Sequence, residues 1–479
     1  MKATKTIVFS PFTRVEGDLR LGVEIEGGAV VSARASGTLF RNFENLLRGR
    51  DPRDAIVILC RICGQCGAAH SRAASEALAN ACGMTPPRNG LLGGTVIQAA
   101  EMLLGHLAHF HFSFAADLCS LPDCEHLEDR FSPIRGSSFR RALETRQVLL
   151  GLMGLFAGKW PNTLAIQPGG VAKPLNRGEL IRAKGILAKF VRCLEGELLG
   201  CSLDRWLANR SLHDIRVWLT EPEHEVSDMG VFVSTALKCG LDRVGHGPGR
   251  FLSTGGPRLP EGSWLRSGYW DGRLQSFDQQ LIAEDVAFSW FEPEPAAVHP
   301  SEGTTDPAPD KTDAYSWAKA PRYGGKSVEV GPMARMVIDG DPLAVDLMAA
   351  VGPSVFTREM LRLHEAVRLV KAVSEWLDEI DPEEPFCVKF EPADSAAGMA
   401  LTEAPRGTLG HWVRMEKGRI RNYQVVTPTS WNLSPRDGSG APGPLEEALV
   451  GTPVRDPEKA TNVALVVRSY DPCLYCSVH

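Results

Sequence analysis

Two Cys-x-x-Cys pairs sit at opposite ends of this chain, Cys63 and Cys66 in RICGQC and Cys473 and Cys476 in DPCLYCSVH. Four thiolates hold one soft-metal site only if the fold brings residue 63 beside residue 473. Zinc-ribbon pairs lie roughly 15–20 residues apart, because a small domain needs a local clip. Here the pairs bracket nearly all of 479 residues, which points to a metal buried in a large core where both chain ends meet. Taken alone, either pair also reads as a redox dithiol or half of a structural zinc site. The flanks lack the βαβ setting of a thioredoxin-like dithiol.

With 43% hydrophobic and 23% charged residues the chain can bury a large core. A net charge of −6 offers no basic field for nucleic acid or an anionic membrane. The reading finds no apolar run approaching the ~20 residues that span a bilayer, and MKATKTIVFS lacks a signal-peptide pattern. The expectation is a soluble, cytoplasmic protein that reaches a membrane only through a partner. Of the 12 cysteines, those outside the two pairs stand singly, as small buried hydrophobes in a reduced compartment.

Hydrophobic periodicity divides the chain. TIVFS, LRLGVEIEGG and AVVSARASG alternate as strands. GAAHSRAASEALANACG reads as a helix closing at Gly83, and NGLLGGTVIQAAEMLLGHLAHFHFSFAADL as one helix buried on all sides. SSFRRALETRQVLLGLMGLFAG, RGELIRAKGILAKFVRCLEGELLG, DPLAVDLMAAVG and REMLRLHEAVRLVKAVSEWLDEI add further helices, and EPEPAAVHPSEGTTDPAPDKTD reads as a surface loop or an irregular excursion. The expected fold class is α+β, mostly α: a large helical-bundle core with β-rich N-terminal and C-terminal segments. We read one large domain over 1–479. It comprises a β-rich segment at 1–50, a helical core at 51–204, an irregular insert at 205–335, and helices with a C-terminal metal-binding segment at 336–479.

Several longer motifs narrow the reading. RVEGD at 14–18, LFRNFENLLRGRDPRDA at 39–55, RICGQC followed by His70, KAPRYGG and VGPMARM within 319–336, APRGTLGHW at 404–412, PTSWNL at 428–433 and the terminal DPCLYCSVH run through the whole chain. In content and order they resemble the large, catalytic subunit of nickel–iron hydrogenases, near the uptake and hydrogen-sensing branch. The resemblance implies a mature chain, or a branch made without the short tail that most precursors carry after the final His.

The resemblance also implies a site. Nickel would bind all four cysteines, and iron carrying one CO and two cyanides would share Cys66 and Cys476, leaving Cys63 and Cys473 terminal on nickel. Splitting hydrogen needs an electrophile for the hydride and a base for the proton; Cys473 would take the proton and pass it to Glu16. Arg406 would lie above the metals, with Asp117 and Asp471 holding it. Pro405 and the hydroxyl of Thr429 would face the cyanides, and His70 would bond a bridging thiolate. His106 and Asp117, about three helical turns apart, would share a face. Magnesium, or a second iron, would bind Glu44, the Leu433 carbonyl and His479. Gln65, where many members have Val or Ile, and Ala116 would line the gas route.

The same resemblance implies the function and partners. These are reversible oxidation of H2, an obligate iron–sulfur small subunit that carries electrons to an acceptor, and no nucleic acid. A hydrogen sensor signalling to a kinase is the second reading. A structural subunit related to respiratory complex I is the third, set against by the presence of all four cysteines.

Overall fold

The computed structural model describes residues 4–456 and 459–479. Strands Lys5–Phe9, Leu19–Glu26 and Ala29–Gly37 form an antiparallel sheet in sequence order, with Lys5 opposite Ile25 and Leu19 opposite Gly37. Leu19, Leu21, Val23 and Ile25 point into the core while the residues between them meet solvent, the pattern of a half-buried strand.

Most of the remaining core is helical, as the periodicity foretold: Gly67–Ala81, Arg88–Ala108, Ser137–Ala157, Arg177–Cys193 and Val355–Asp378. One buried apolar cluster draws on residues from Phe12 to Leu474 and on all five of these helices. A second holds the four paired cysteines together with Leu47, Ile62 and the sheet described next.

That sheet is an antiparallel meander of strands Ala396–Ala404, Gly407–Glu416 and Arg419–Val426. Ala404 pairs with Gly407, so Pro405 and Arg406 are the two residues of a tight hairpin tip. The meander packs on helix Gly67–Ala81, whose Ala68, Ala69, Ala73, Ala74 and Ala77 are all buried and allow a close approach.

The run Arg88–Ser120 changes pitch twice, from α-helix to a π-helical turn at His109–Phe114 and then to a 3₁₀ segment at Ala115–Ser120. It is long and apolar enough to cross a membrane, contrary to the sequence expectation, but its most apolar stretch is wholly buried inside the protein. A helix surrounded by protein needs no polar face. The wider π turn also breaks the regular spacing that placed His106 and Asp117 on one face.

The region read as irregular, 205–335, holds helices Leu212–Trp218 and Asp228–Lys238. Both are too short for clear periodicity, and Ser211 and Ser227 cap their first turns. The rest of the region is short strands, loops and brief helical turns such as Pro222–Glu225 and Leu241–Arg243. The supposed surface loop is exposed for much of its length, yet it delivers Thr305 into the interior.

Two glycines let remote elements touch. Gly17 has φ +82°, and a Cβ there would stand 2.9 Å from the Tyr475 amide nitrogen. A Cβ on Gly105 would lie 2.9 Å from Pro405 Cβ, so this residue seats the hairpin tip against its helix.

Candidate metal centre

Each Cys-x-x-Cys lies at a helix start: the first pair just before one, the second across one. Cys66 precedes helix Gly67–Ala81 and accepts the His70 amide at 3.1 Å, so His70 follows one turn later as the spacing required. Cys473 precedes the short helix Leu474–Ser477 and accepts the Cys476 amide at 3.0 Å. The N-terminal RVEG segment clamps the second loop: the Glu16 amide donates to the Pro472 carbonyl at 3.2 Å, and the Leu474 amide to the Glu16 carbonyl at 2.7 Å.

The four sulfurs meet. Cys63 and Cys473 are 3.3 Å apart, Cys66 and Cys476 3.2 Å, and Cys473 and Cys476 3.0 Å, all buried and none in a disulfide. Contact with the other three thiols and the nearby Arg406 pull Cys63 well below its ordinary pKa. Contact with Cys473 and burial push Cys66 well above its own, and burial and Cys473 do the same for Cys476. A bound cation would favour the thiolate form at all four sulfurs.

Arg406 overhangs this cluster from the hairpin tip. Its Nε donates to the Asp471 carbonyl at 2.8 Å and its Nη2 to Asp471 Oδ1 at 3.0 Å. Burial opposes the guanidinium charge, but Asp471 and the thiolates hold its pKa well above the ordinary value. Its Nη1 is buried without a partner, an orphan donor that an acceptor on a bound group would satisfy. The Thr429 hydroxyl oxygen accepts the Cys473 amide at 3.1 Å, leaving its proton free to donate. Pro405, next to Arg406 at the hairpin tip, accepts from Arg335 through its carbonyl at 3.2 Å. Soft sulfurs and orphan donors fit a nickel–iron pair with anionic diatomic ligands.

Glu16 is half-buried, and burial raises its carboxyl pKa against the pull of Arg406. The Gln65 side-chain amide donates to Glu16 Oε1. Both line a cavity of about 220 Å³ with Arg406, His109 and Asp471. Ala116, paired with Gln65 in the sequence reading, is not among the lining residues.

The structure reassigns two other expected partners. Asp117 does not hold Arg406; its two carboxylate oxygens are taken by Arg14 and Arg468, because the 3₁₀ segment turns it toward the N-terminal loop. His106 bonds Glu365 at 2.8 Å instead of facing Asp117. His70 bonds His411 at 3.1 Å, and His411 bonds Tyr423 at 2.9 Å. Even so, a ring nitrogen of His70 lies within 4.8 Å of the Cys66 and Cys476 sulfurs. Burial drops the His70 pKa to about 3 and keeps the ring neutral.

Near the chain end His479 Nε2 is 3.4 Å from Glu44 Oε1, which also accepts the Val425 amide at 2.7 Å. Burial would raise the Glu44 pKa, but Lys319, His479 and Thr305 hold it at about 2. The Lys319 ammonium donates to Gln424 at 2.8 Å and to Thr305 at 3.1 Å. An ionised carboxylate beside an imidazole suits a divalent cation. Leu433 is buried at the end of helix Pro428–Asn432.

Sequence reasoning missed Arg14 and Arg468 on Asp117, Lys319 and Thr305 at Glu44, and the bond from Gln65 to Glu16. It also missed Glu101, which accepts the Ala68 and Ala69 amides at 2.9 Å and the Trp160 indole at 3.0 Å, capping the helix that follows Cys66. Burial lifts its pKa to about 7. One available signal was a charge within an otherwise apolar helix, AAEMLL, since buried charges are seldom idle.

A family model described as nickel-dependent hydrogenase matches residues 41–128 and 134–479. The periplasmic [NiFeSe] hydrogenase large subunit of Desulfomicrobium baculatum is 34% identical, over 99% of this chain and 94% of that one. The hydrogenase-2 large chain of Escherichia coli is 28% identical, over 99% and 97%. The solved Ni-Fe-Se hydrogenase from D. vulgaris Hildenborough in the reduced state superposes with a TM-score of 0.86 at 33% identity, over 100% of both chains.

Proposed function

The chain belongs to the nickel-dependent hydrogenases, and from that premise we propose that it is the catalytic large subunit of an enzyme oxidising molecular hydrogen, H2 ⇌ 2H⁺ + 2e⁻. It is an oxidoreductase acting on H2, with a nickel–iron centre and a small-subunit partner. The observation that carries this reading is the convergence of Cys63, Cys66, Cys473 and Cys476 on one buried point beneath Arg406. All four positions are cysteine, so the selenium in some relatives' names does not transfer.

When bound, the metal pair supplies the electrophile that polarises hydrogen; the chain's own residues supply the rest. Cys63, Cys66, Cys473 and Cys476 would hold nickel, and Cys66 and Cys476 would also hold an iron with CO and two cyanides. Arg406 Nη1 and the Thr429 hydroxyl would donate to the cyanides. The proton would pass from Cys473 Sγ to a Glu16 carboxylate oxygen. A carboxyl raised by burial holds a proton nearer neutrality, and the 220 Å³ cavity offers it a way out. His70, kept neutral, would orient a bridging thiolate. Gln65 would meter gas entry, Ala116 flanking the route outside this cavity. Asp471 would fix Arg406, and Asp117 would tie the Arg14 loop to the Arg468 helix beside the cavity. Glu44, His479 and the Leu433 carbonyl would hold magnesium or a second iron.

Among the described residues the grouped metal donors all lie at the cysteine site, which supports electron exit through iron–sulfur clusters in the small subunit. We place the pair in the cytoplasm, with any membrane contact made through the partner. The catalytic reading is preferred to sensing because the relatives named above are enzymes.

The test is an infrared spectrum of the purified heterodimer under hydrogen and under air. One CO and two cyanide bands that shift under hydrogen are expected; no such bands, with zinc at the cysteines, would end the reading.

A further inference from the structure

Asp471 is buried in a left-handed conformation, φ +50°, and three basic side chains converge on its carboxylate. Arg406 Nη2 lies 3.0 Å from Oδ1, Arg362 Nη1 3.3 Å from Oδ2, and His109 Nδ1 3.2 Å from Oδ1, the last an ion-pair contact off the line of a hydrogen bond. The other His109 nitrogen, Nε2, is 2.7 Å from Glu359 Oε1. A neutral imidazole has one N–H and one lone pair. Between two carboxylate oxygens, a neutral ring would set that lone pair against one of them. Both contacts are favourable only when both nitrogens carry protons. Burial opposes this charge, but Glu359 and Asp471 outweigh it and raise the ring above its ordinary pKa.

The local backbone explains how the ring gets there. The π-helical turn starts at His109, and such turns concentrate at functional sites. His106, one turn earlier, is committed to Glu365, whereas His109 lines the cavity shared by Glu16, Gln65 and Arg406. In charge, Arg406 and Arg362 balance Asp471 and Glu359, so an imidazolium at 109 adds one positive charge to this cluster.

We propose that His109 is a positioning residue, an imidazolium clamped between Glu359 and Asp471 that fixes the Asp471 carboxylate and, through it, the Arg406 guanidinium over the metal-binding cysteines. The proposal rests on the hydrogenase reading above.

The test compares the complete heterodimer as wild type, His109→Gln, Glu359→Gln, Asp471→Asn and the double variant His109→Gln/Asp471→Asn. For His109→Gln the expected result is retained nickel, displaced cyanide infrared bands and turnover lowered roughly ten- to hundredfold. Adding His109→Gln to Asp471→Asn should displace the bands and slow turnover no further, because one acts through the other. If His109→Gln fails to assemble, Glu359→Gln, which keeps the shape and removes a charge, should displace the same bands in its place. Bands at wild-type positions in whichever single variants assemble, or additive losses in the double variant, would overturn the proposal. A wild-type complex lacking CO and cyanide bands would overturn the hydrogenase reading, and this proposal with it.

Discussion

The Glu16 carboxyl is the sharpest residue-scale claim. Replacing it by glutamine keeps the side chain's shape and removes its capacity to accept a proton. Turnover should fall roughly 10²- to 10⁴-fold with the infrared bands unmoved; displaced bands would mean a structural role. Gln65→Val removes a hydrogen bond that favours the ionised form of Glu16. The Glu16 pKa should rise further, so the acid limb of the pH–rate profile should move to higher pH. An acid limb that stays put refutes that coupling, and CO and oxygen inhibition rates unchanged in the same variant refute gas metering. The four cysteines were legible because a metal demands a fixed residue type at a fixed spacing. The carboxylate partners were not: which cation a buried Asp meets depends on a pitch change such as that at His109, and no short motif encodes it. Asp117 was therefore assigned to Arg406, when Arg14 and Arg468 hold it.

At the scale of elements, the helix Val355–Asp378 carries charge through the core. Its Glu365, fully buried, meets Arg335 at 2.5 and 2.6 Å and His106 at 2.8 Å. Burial would raise its pKa, but Arg335 and His106 hold it at about 2, against 4.5 when unfolded. A depressed carboxyl stabilises the fold above its unfolded pKa, and that stability, on the order of 3 kcal/mol, should be lost as pH falls from about 4.5 to about 2. Glu365→Ala should cost about 3–5 kcal/mol at neutral pH, because it strands a buried cation, and should flatten that acid limb; calorimetry of both proteins between those pH values is the check. Glu101→Ala should uncap the helix after Cys66, lowering the melting temperature and the nickel content together. A drop in the first alone would limit Glu101 to stability. Periodicity revealed the long helices and the N-terminal strands, since burial on one face repeats at a readable interval. It passed over Leu212–Trp218 and Asp228–Lys238, where two or three turns give too few repeats.

For the whole molecule, the decisive feature is that the first and last structural segments touch. Gly17 is the hinge of that contact, and Gly17→Ala would strain a positive-φ position and press a methyl group on the Tyr475 backbone. Metal analysis of the purified heterodimer should find nickel sharply reduced; full occupancy would show that the ends tolerate separation. That the ends must meet was readable from two pairs of cysteines, whereas the clamp of Glu16 on residues 472 and 474 was visible only in three dimensions. The meeting also has a consequence in time. The paired sulfurs are 410 residues apart, and a ribosome adding roughly 5–20 residues per second delivers Cys63 and Cys66 some 20–80 s before Cys473 and Cys476. For that interval every newborn chain presents half a soft-metal site, open to capture by whichever thiophilic ion arrives first, and the cell that makes it must keep zinc and copper away until the last residues are built.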